Sequence, residues 1–166
     1  PERLLLKSFL IQTDETGIVI RNGPKAGRVK GYMWVYRTQD DLVFYDLRVN
    51  RSSVGPADVL QHYQGFIQPG AYSGYDFLFR DNSGRIELGC WAHLRRKFKE
   101  AAETDAKLFL EIDALLKVLF KLEAEAKALS PPERQAWRDQ HVAPVLKEIK
   151  DWLDAKGIAA LPKSPM

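Results

Sequence analysis

An acidic pair follows a short β-prone run near the start of the chain. Residues 9–13 are Phe-Leu-Ile-Gln-Thr, and Asp14 and Glu15 come directly after them. A short continuous apolar run is typical of a strand that is buried on both faces. A carboxylate at the end of such a strand lies where a sheet meets solvent, and there it could hold a divalent metal ion. The alternative is that Asp14 and Glu15 begin a turn, since aspartate competes for nearby backbone N–H groups and Gly17 follows.

Cys90 and His93 form a second candidate for chemistry, because thiolate and imidazole groups are common zinc ligands. A zinc site takes four ligands, however, and Cys90 is the only cysteine in the sequence. The pattern therefore favours structural roles for both residues. Cys90 would be buried as a small apolar residue, and His93 would form a hydrogen bond that fixes a strand–helix junction.

Two groups of cations could contact the phosphates of a nucleic acid. One lies in a loop punctuated by glycine and proline, and the other lies on a predicted helix; they are Lys25, Arg28 and Lys30, and Arg95, Arg96, Lys97 and Lys99. A basic helix face is often merely solvated, which is the alternative interpretation. The net charge of +3 permits nucleic-acid binding without requiring it.

The composition is that of an ordinary globular domain. The 166 residues are enough for one domain with a sizeable core, and 45% are hydrophobic while 28% are charged. No apolar run approaches the ~20 residues that span a bilayer, so we expect no membrane segment. The first residues are charged too early for a signal peptide. A single cysteine excludes an internal disulfide and is compatible with a reducing compartment.

Residues 9–90 alternate between β-prone runs and short helical patterns. After the first run, strands are predicted at residues 17–21, 32–37, 42–49, 66–68 and 85–90, and helices at residues 57–64 and 72–80. Pro56 suits the first turn of the first helix, and Gly65 would end it. The early strands should form an antiparallel meander. A meander followed by helix-linked strands predicts an α/β arrangement with a mixed sheet.

From residue 91 onward the sequence is dominated by helix formers. A first helix begins there, and a second should cover residues 108–129. Ser130 and Glu133 have capping-box spacing, so a third helix should begin with Pro131. We expect a kink near Pro144 and an end at Gly157. The tryptophan and leucine stripes of these helices predict packing between helices rather than a ligand site.

The order of these elements resembles that of the ribonuclease-H-like fold, in which the first and fourth strands are neighbours. Acids at the ends of those two strands would converge on one place. Two divalent ions about 3.5–4 Å apart could there hold an attacking oxygen and a leaving phosphate oxygen in line. The predicted fold class is thus α/β, with a ribonuclease-H-like mixed sheet and an α-helical insertion.

Three motifs resemble the insertion-sequence-sixty-six family of bacterial transposases. They are Gln-Thr-Asp-Glu-Thr at residues 12–16, Gln-Pro-Gly-Ala-Tyr-Ser-Gly-Tyr at residues 68–75, and Cys-Trp-Ala-His-Leu-Arg-Arg-Lys-Phe at residues 90–98. Residues 129–134 and 161–165 also follow the family, so the resemblance covers nearly the whole chain. It implies a DDE transposase, which uses two Asp and one Glu with Mg²⁺ or Mn²⁺ to cut and join DNA at transposon ends.

The chain departs from the family pattern at the acids. Asp14 matches the first acid, but Gly70 stands where the family has the Asp of Gln-Thr-Asp-Gly-Tyr. The family's third acid follows an α-helical insertion, and the sequence ends at Met166 before the corresponding stretch. Asp76 is a candidate substitute metal ligand on a nearby helix. We therefore expect weak or absent metal binding and a catalytically incomplete chain.

The sequence therefore predicts the partial catalytic core of a DDE transposase. Residues 1–104 would form the ribonuclease-H-like core, and residues 105–166 the helical insertion and tail. The resemblance implies DNA as partner, homo-oligomers of the intact protein, and a place at the nucleoid in the bacterial cytoplasm. One alternative is a non-catalytic remnant that serves as a DNA- or protein-binding module. Another is a nuclease of the same fold, which would need a second acid that the sequence does not reveal.

Overall fold

The computed structural model describes residues 5–21, 27–80, 84–103 and 106–157. The chain divides into two units, Pro1–Cys90 and Trp91–Met166. The first unit is mixed α/β and the second is helical, which confirms the mixed α/β class. The boundary predicted at residue 104 lies after the first helix of the second unit, and it stays a prediction.

The first unit contains a five-stranded mixed sheet with the strand order β3-β2-β1-β4-β5. The strands are β1 (Leu10–Arg21), β2 (Arg28–Thr38), β3 (Val43–Arg48), β4 (Gly65–Pro69) and β5 (Arg85–Glu87). β2 is antiparallel to both β1 and β3, whereas β4 is parallel to both β1 and β5. The predicted meander and the predicted adjacency of the first and fourth core strands are confirmed.

β1 is one continuous strand, where the sequence predicted two short runs separated at the acidic pair. Asp14 and Glu15 lie inside it, so the expectation that Asp14 ends a strand is wrong, and so is the alternative that both begin a turn. The cause is the pairing with β2, which runs unbroken from Ile11 opposite Thr38 to the far end of the strand. The β-branched residues 18–20 favour this extended backbone and outweigh the single glycine before them.

One face of the sheet is covered by two short helices, α1 (Val54–Leu60) and a 3₁₀ helix (Ser73–Phe79). Strand residues alternate between the two faces, so odd positions of β1 and even positions of β2 point to this core. The buried side chains are Leu5, Ile11, Trp34, Tyr36, Val59, Leu60, Tyr63, Ile67, Tyr75 and Leu78. The covered face is therefore the one opposite to Asp14.

The short elements of this unit differ from their predicted bounds. α1 ends at Leu60, and Pro56 lies in its first turn, where its missing N–H costs nothing. Gly65 begins β4 with a φ of +133° instead of ending the helix, a backbone angle that favours glycine. The aromatic helix predicted at residues 72–80 is 3₁₀, and β5 ends at Glu87 rather than at residue 90.

The second unit consists of packed helices. They are α2 (Trp91–Ala101), α3 (Ala106–Glu125), α4 (Pro131–Trp137) and α5 (Ala143–Gly157), with a 3₁₀ turn at Ala126–Ala128 and a π-helical turn at Arg138–Val142. Their buried side chains form one cluster of Phe98, Ile112, Leu116, Leu119, Val142 and Ile149. The apolar stripes therefore pack between helices, as predicted.

The capping-box signal of this unit is also confirmed. The Glu133 carboxylate accepts hydrogen bonds from the backbone N–H of Ser130 at 3.0 Å and from its hydroxyl at 2.5 Å, which closes the capping box at α4. A π-helical turn lies directly before α5, close to Pro144, and the kink expected near this proline stays a prediction. The π-helical turn accommodates the proline, because proline has no N–H for the preceding turn. The structure describes α5 as far as Gly157, and the helix end expected there stays a prediction.

Candidate functional site

Asp14 lies on β1, the middle strand of the sheet, and its side chain is exposed. Its Oδ1 accepts a hydrogen bond from the backbone N–H of Glu15 at 3.0 Å. The parallel pairing of β1 with β4 ends one residue earlier, where Thr13 is opposite Pro69. Asp14 is therefore placed at the edge where the parallel strands separate, although β1 itself continues.

Gly70 is the residue that follows β4. Its backbone N–H donates to the carbonyl of Thr13 at 2.8 Å, which is the last hydrogen bond of the pairing between Thr13 and Pro69. Asp14 and Gly70 are therefore the residues that directly follow the end of the β1–β4 pairing, one on each strand. Asp14 is exposed and Gly70 is buried. Glycine has no side chain that could hold a metal ion at this edge.

Glu15 is engaged on the opposite face of the sheet, where its side chain is only 3% exposed. Its Oε1 accepts hydrogen bonds from two guanidinium nitrogens of Arg51, with Nε at 2.9 Å. Its Oε2 accepts a hydrogen bond from the hydroxyl of Tyr75 at 3.2 Å. Because it points away from Asp14 and already has partners, Glu15 adds no carboxylate to the face that carries Asp14.

Tyr75 links this carboxylate to the residue on the other side of Asp14. Its hydroxyl lies 3.1 Å from the hydroxyl of Thr13, and the side chain is 1% exposed. Burial raises the pKa of Tyr75 above its usual value. The guanidinium of Arg51 lies 4.0 Å from the ring centre of Tyr72. The hydrogen bond from Arg51 to Glu15 raises the pKa of Arg51. The network thus holds both neighbours of Asp14 from the buried side.

The sequence analysis did not assign Arg51 or Tyr75 to the site. A signal for them exists, because strand alternation puts Glu15 on the same face as the buried residues Ile11 and Thr13. A buried carboxylate needs hydrogen-bond or cationic partners. Alternation therefore predicts that partners exist, but it does not identify which distant residues supply them.

The residues present do not fit a two-ion site. Asp76 is exposed on the 3₁₀ helix, while its neighbour Tyr75 takes the inward position. Within the described residues, no group of three or more His, Cys, Asp or Glu side chains could hold a metal ion. Two ions about 3.5–4 Å apart need several fixed oxygen ligands, and Asp14 alone does not provide them. Metal binding by Asp76 stays a prediction.

The predicted DNA-binding cations belong to both units. Arg28 and Lys30 are exposed on β2, and Lys25 lies outside the described residues. Arg96 and Lys99 are exposed on α2. Their contact with DNA stays a prediction.

Arg95 differs from these cations because it has a structural partner. Its Nε donates to Oδ1 of Asp113 at 2.8 Å, and its guanidinium lies 5.8 Å from the ring centre of Phe120. The Asp113 side chain is 6% exposed and also pairs with Lys117 at 2.9 Å. The hydrogen bond from Arg95 lowers the pKa of Asp113, with Lys117 contributing. Arg95 therefore ties α2 to α3, and its role in DNA binding also stays a prediction.

Cys90 is the last residue of the first unit, and His93 lies near the start of the second. Cys90 is a free thiol directly before α2, and it is half-buried rather than buried as expected. The cause is that β5 ends at Glu87, so Cys90 lies in a connecting segment and not in a strand. His93 is half-buried in the first turn of α2.

These features define a class of protein: a mixed-sheet α/β unit with an exposed carboxylate on its central strand, followed by a helical unit. The family model described as Transposase IS66 family matches residues 2–166. The chain belongs to this transposase family, as its three motifs predicted.

Two proteins of Sinorhizobium fredii are similar to this chain. The uncharacterized protein y4jD is 32% identical over 114 residues, which are 65% of this chain and 22% of that protein. The uncharacterized protein y4hP is 25% identical over 164 residues, which are 84% of this chain and 29% of that protein. The chain therefore spans less than a third of either relative. None of its described helices is long and apolar enough to cross a membrane.

Proposed function

We propose that this chain is part of the DNA-cutting and DNA-joining region of an IS66-family transposase, with Asp14 as the first acid of a DDE triad. The observation that supports this most directly is that Asp14 and Gly70 each follow the last paired residues of two neighbouring parallel strands, Thr13 of β1 and Pro69 of β4. The strand order, with β1 parallel to β4, supports a ribonuclease-H-like core.

On this proposal the chain by itself does not cut or join DNA. Strand cleavage by two metal ions requires fixed oxygens on both sides of the reacting phosphate. Position 70 is a glycine, and Glu15 is held by Arg51 and Tyr75 on the other face. One exposed carboxylate can hold a hydrated Mg²⁺ or Mn²⁺ only weakly, because such ions need several ligands.

The role left to the chain is that of a non-catalytic module that binds DNA. Exposed cations on both units, among them Arg28, Lys30, Arg96 and Lys99, support contacts to phosphates. Recognition of transposon ends, assembly into homo-oligomers and a place at the nucleoid belong to the longer proteins of the family and remain predictions.

The test combines DNA binding with a cleavage assay. Affinity for a mixed-sequence duplex is measured by fluorescence anisotropy at about 50 and 200 mM salt, and nicking of plasmid DNA is followed with Mg²⁺ or Mn²⁺. We expect affinity that falls steeply with salt, and no nicking. Metal-dependent nicking that disappears in Asp14→Ala would show that a second acid exists elsewhere. Undetectable binding at low salt would show that the cations are only solvated.

A further inference from the structure

β1 and β2 extend beyond the rest of the sheet as a two-stranded ribbon. β4 pairs with β1 only as far as Thr13, and β3 pairs with β2 only from Tyr32 onward. Residues 18–21 therefore pair with residues 28–31 without a neighbouring strand among the described residues. We call these eight residues the ribbon. At about 3.3 Å per residue, it extends about 13 Å.

One face of the ribbon carries positive charge, and no described carboxylate pairs with its cations. Arg21 lies opposite Arg28 and Val19 lies opposite Lys30, so these four exposed side chains share a face. No carboxylate in the described part of the chain forms an ion pair with any of the three cations. The sequence contains no Asp or Glu between Glu15 and Asp40.

This arrangement favours a polyanionic partner. Like charges directly opposite each other destabilise a pair of strands, so the Arg21–Arg28 pair is unfavourable in the isolated chain. A polyanion would neutralise both guanidinium groups and remove the repulsion. Bidentate pairing with phosphate is also a geometry that the planar guanidinium group forms readily.

We propose that the ribbon is a DNA-contacting arm that lies in the major groove of a duplex, with Arg21, Arg28 and Lys30 against the phosphates. The major groove is about 12 Å wide and about 8.5 Å deep, and it admits a two-stranded β-ribbon. Val19 is 64% exposed between the cations, where it can contact base edges such as thymine methyl groups. The inference rests on the proposed DNA binding, which it refines by naming the surface and by adding Arg21.

The first experiment removes the ribbon's charges from the full chain. The ribbon variant is Arg21→Gln with Arg28→Gln and Lys30→Gln, and its control carries Lys121→Gln, Lys147→Gln and Lys150→Gln on exposed helix positions. Both lose three charges, and circular dichroism checks that both are folded. Duplex affinity is measured against salt by anisotropy. Three lost phosphate contacts should reduce the slope of log affinity against log salt by about 2.7. Between 50 and 200 mM salt, the unaltered chain should therefore lose about 40-fold more affinity than the ribbon variant.

The second experiment adds a charge to the same face. Val19→Lys is compared with Val49→Lys, whose parent side chain is 69% exposed outside the ribbon. We expect Val19→Lys to increase the salt slope by about 0.9 and to tighten binding at low salt. Val49→Lys should change the salt slope and the affinity at low salt less than Val19→Lys does.

The outcomes separate the arm from DNA binding in general. If the unaltered chain binds duplex DNA but the ribbon and control variants lose affinity equally, the ribbon is not the DNA-contacting surface. The proposed DNA binding of the chain would still stand. If the unaltered chain does not bind duplex, both fail. The cations could instead keep the exposed strand edges from pairing with other chains. In that case the ribbon variant would self-associate in sedimentation experiments and keep its affinity for duplex DNA. This result would also contradict the proposed role of the ribbon in DNA binding.

Discussion

Tyr75→Phe removes the hydroxyl that joins the two neighbours of Asp14, and it should destabilise the first unit. The ring keeps its edge contact with Trp34, whose centroid is 5.7 Å away. The change removes one hydrogen bond to Thr13 at 3.1 Å and one to the Glu15 carboxylate at 3.2 Å. Both distances are long, so we use the low end of the usual range of stabilisation for each hydrogen bond. This is about 0.5 kcal/mol for the neutral bond and about 1.5 kcal/mol for the bond to the carboxylate, or about 2 kcal/mol in total. For a domain of 60–100 residues this lowers Tm by about 8–16 °C.

The assay must distinguish the two units, because they need not unfold together. Pulse hydrogen exchange in urea, read on peptides from β1 and from α3, gives a separate midpoint for each unit. Tyr45→Phe is the control, since Tyr45 is 62% exposed and its change should stay within about 0.5 kcal/mol. A midpoint for β1 that is the same in Tyr75→Phe and Tyr45→Phe would refute the network, as would an equal shift in both units.

The remaining predictions concern pH and the helical unit. Burial raises the pKa of Tyr75, so the stability it provides is present below its unfolded pKa of about 10 and falls above it by about 1.4 kcal/mol per pH unit. In urea titrations above pH 10, the free energy of unfolding should therefore fall less steeply with pH in Tyr75→Phe than in the unaltered chain, by about 1.4 kcal/mol per pH unit. The same slope in both proteins would contradict this prediction. Asp113→Ala should destabilise the second unit by about 1–3 kcal/mol in urea unfolding, because it leaves Arg95 without its buried partner. The control is Asp151→Ala, which removes an exposed ion pair and should destabilise the unit by less than about 0.5 kcal/mol. The pKa of Asp113 is lowered, so its stabilisation is present above an unfolded pKa of about 3.9 and is lost as the pH falls below that value; an acid titration in which Asp113→Ala loses as much stability as the parent chain contradicts this.

Periodicity and helix signals predicted the elements of this chain well because their causes are local. The capping box at Ser130 and the packed apolar stripes of the helices both depend on residues within a few turns of each other. The pairing of the first and fourth core strands was also predicted, through the resemblance rather than through any local pattern.

What the sequence did not reveal depends on pairing between distant segments. The acidic pair resembled the end of a strand, but eleven-residue β2 carries the pairing past Asp14 and keeps β1 extended. Partners of Glu15 come from a loop and a 3₁₀ helix far along the chain, so spacing could not identify Arg51 or Tyr75. The ribbon was equally hidden, because it exists only where the flanking strands stop pairing.

The most direct test of the site is a calorimetric titration of Mn²⁺ into four forms of the chain. They are the chain itself, Gly70→Asp, Gly70→Asp combined with Asp14→Ala, and Ala71→Asp as a control for added charge. Because Asp14 and Gly70 directly follow the last paired residues of β1 and β4, Gly70→Asp should create a pair of carboxylates and tighten Mn²⁺ binding by at least about tenfold, which is 1.4 kcal/mol. The gain should vanish when Asp14 is removed, and Ala71→Asp should not reproduce it. Equal binding by Gly70→Asp and Ala71→Asp, or a gain that survives the loss of Asp14, would contradict the placement of the two acid positions side by side.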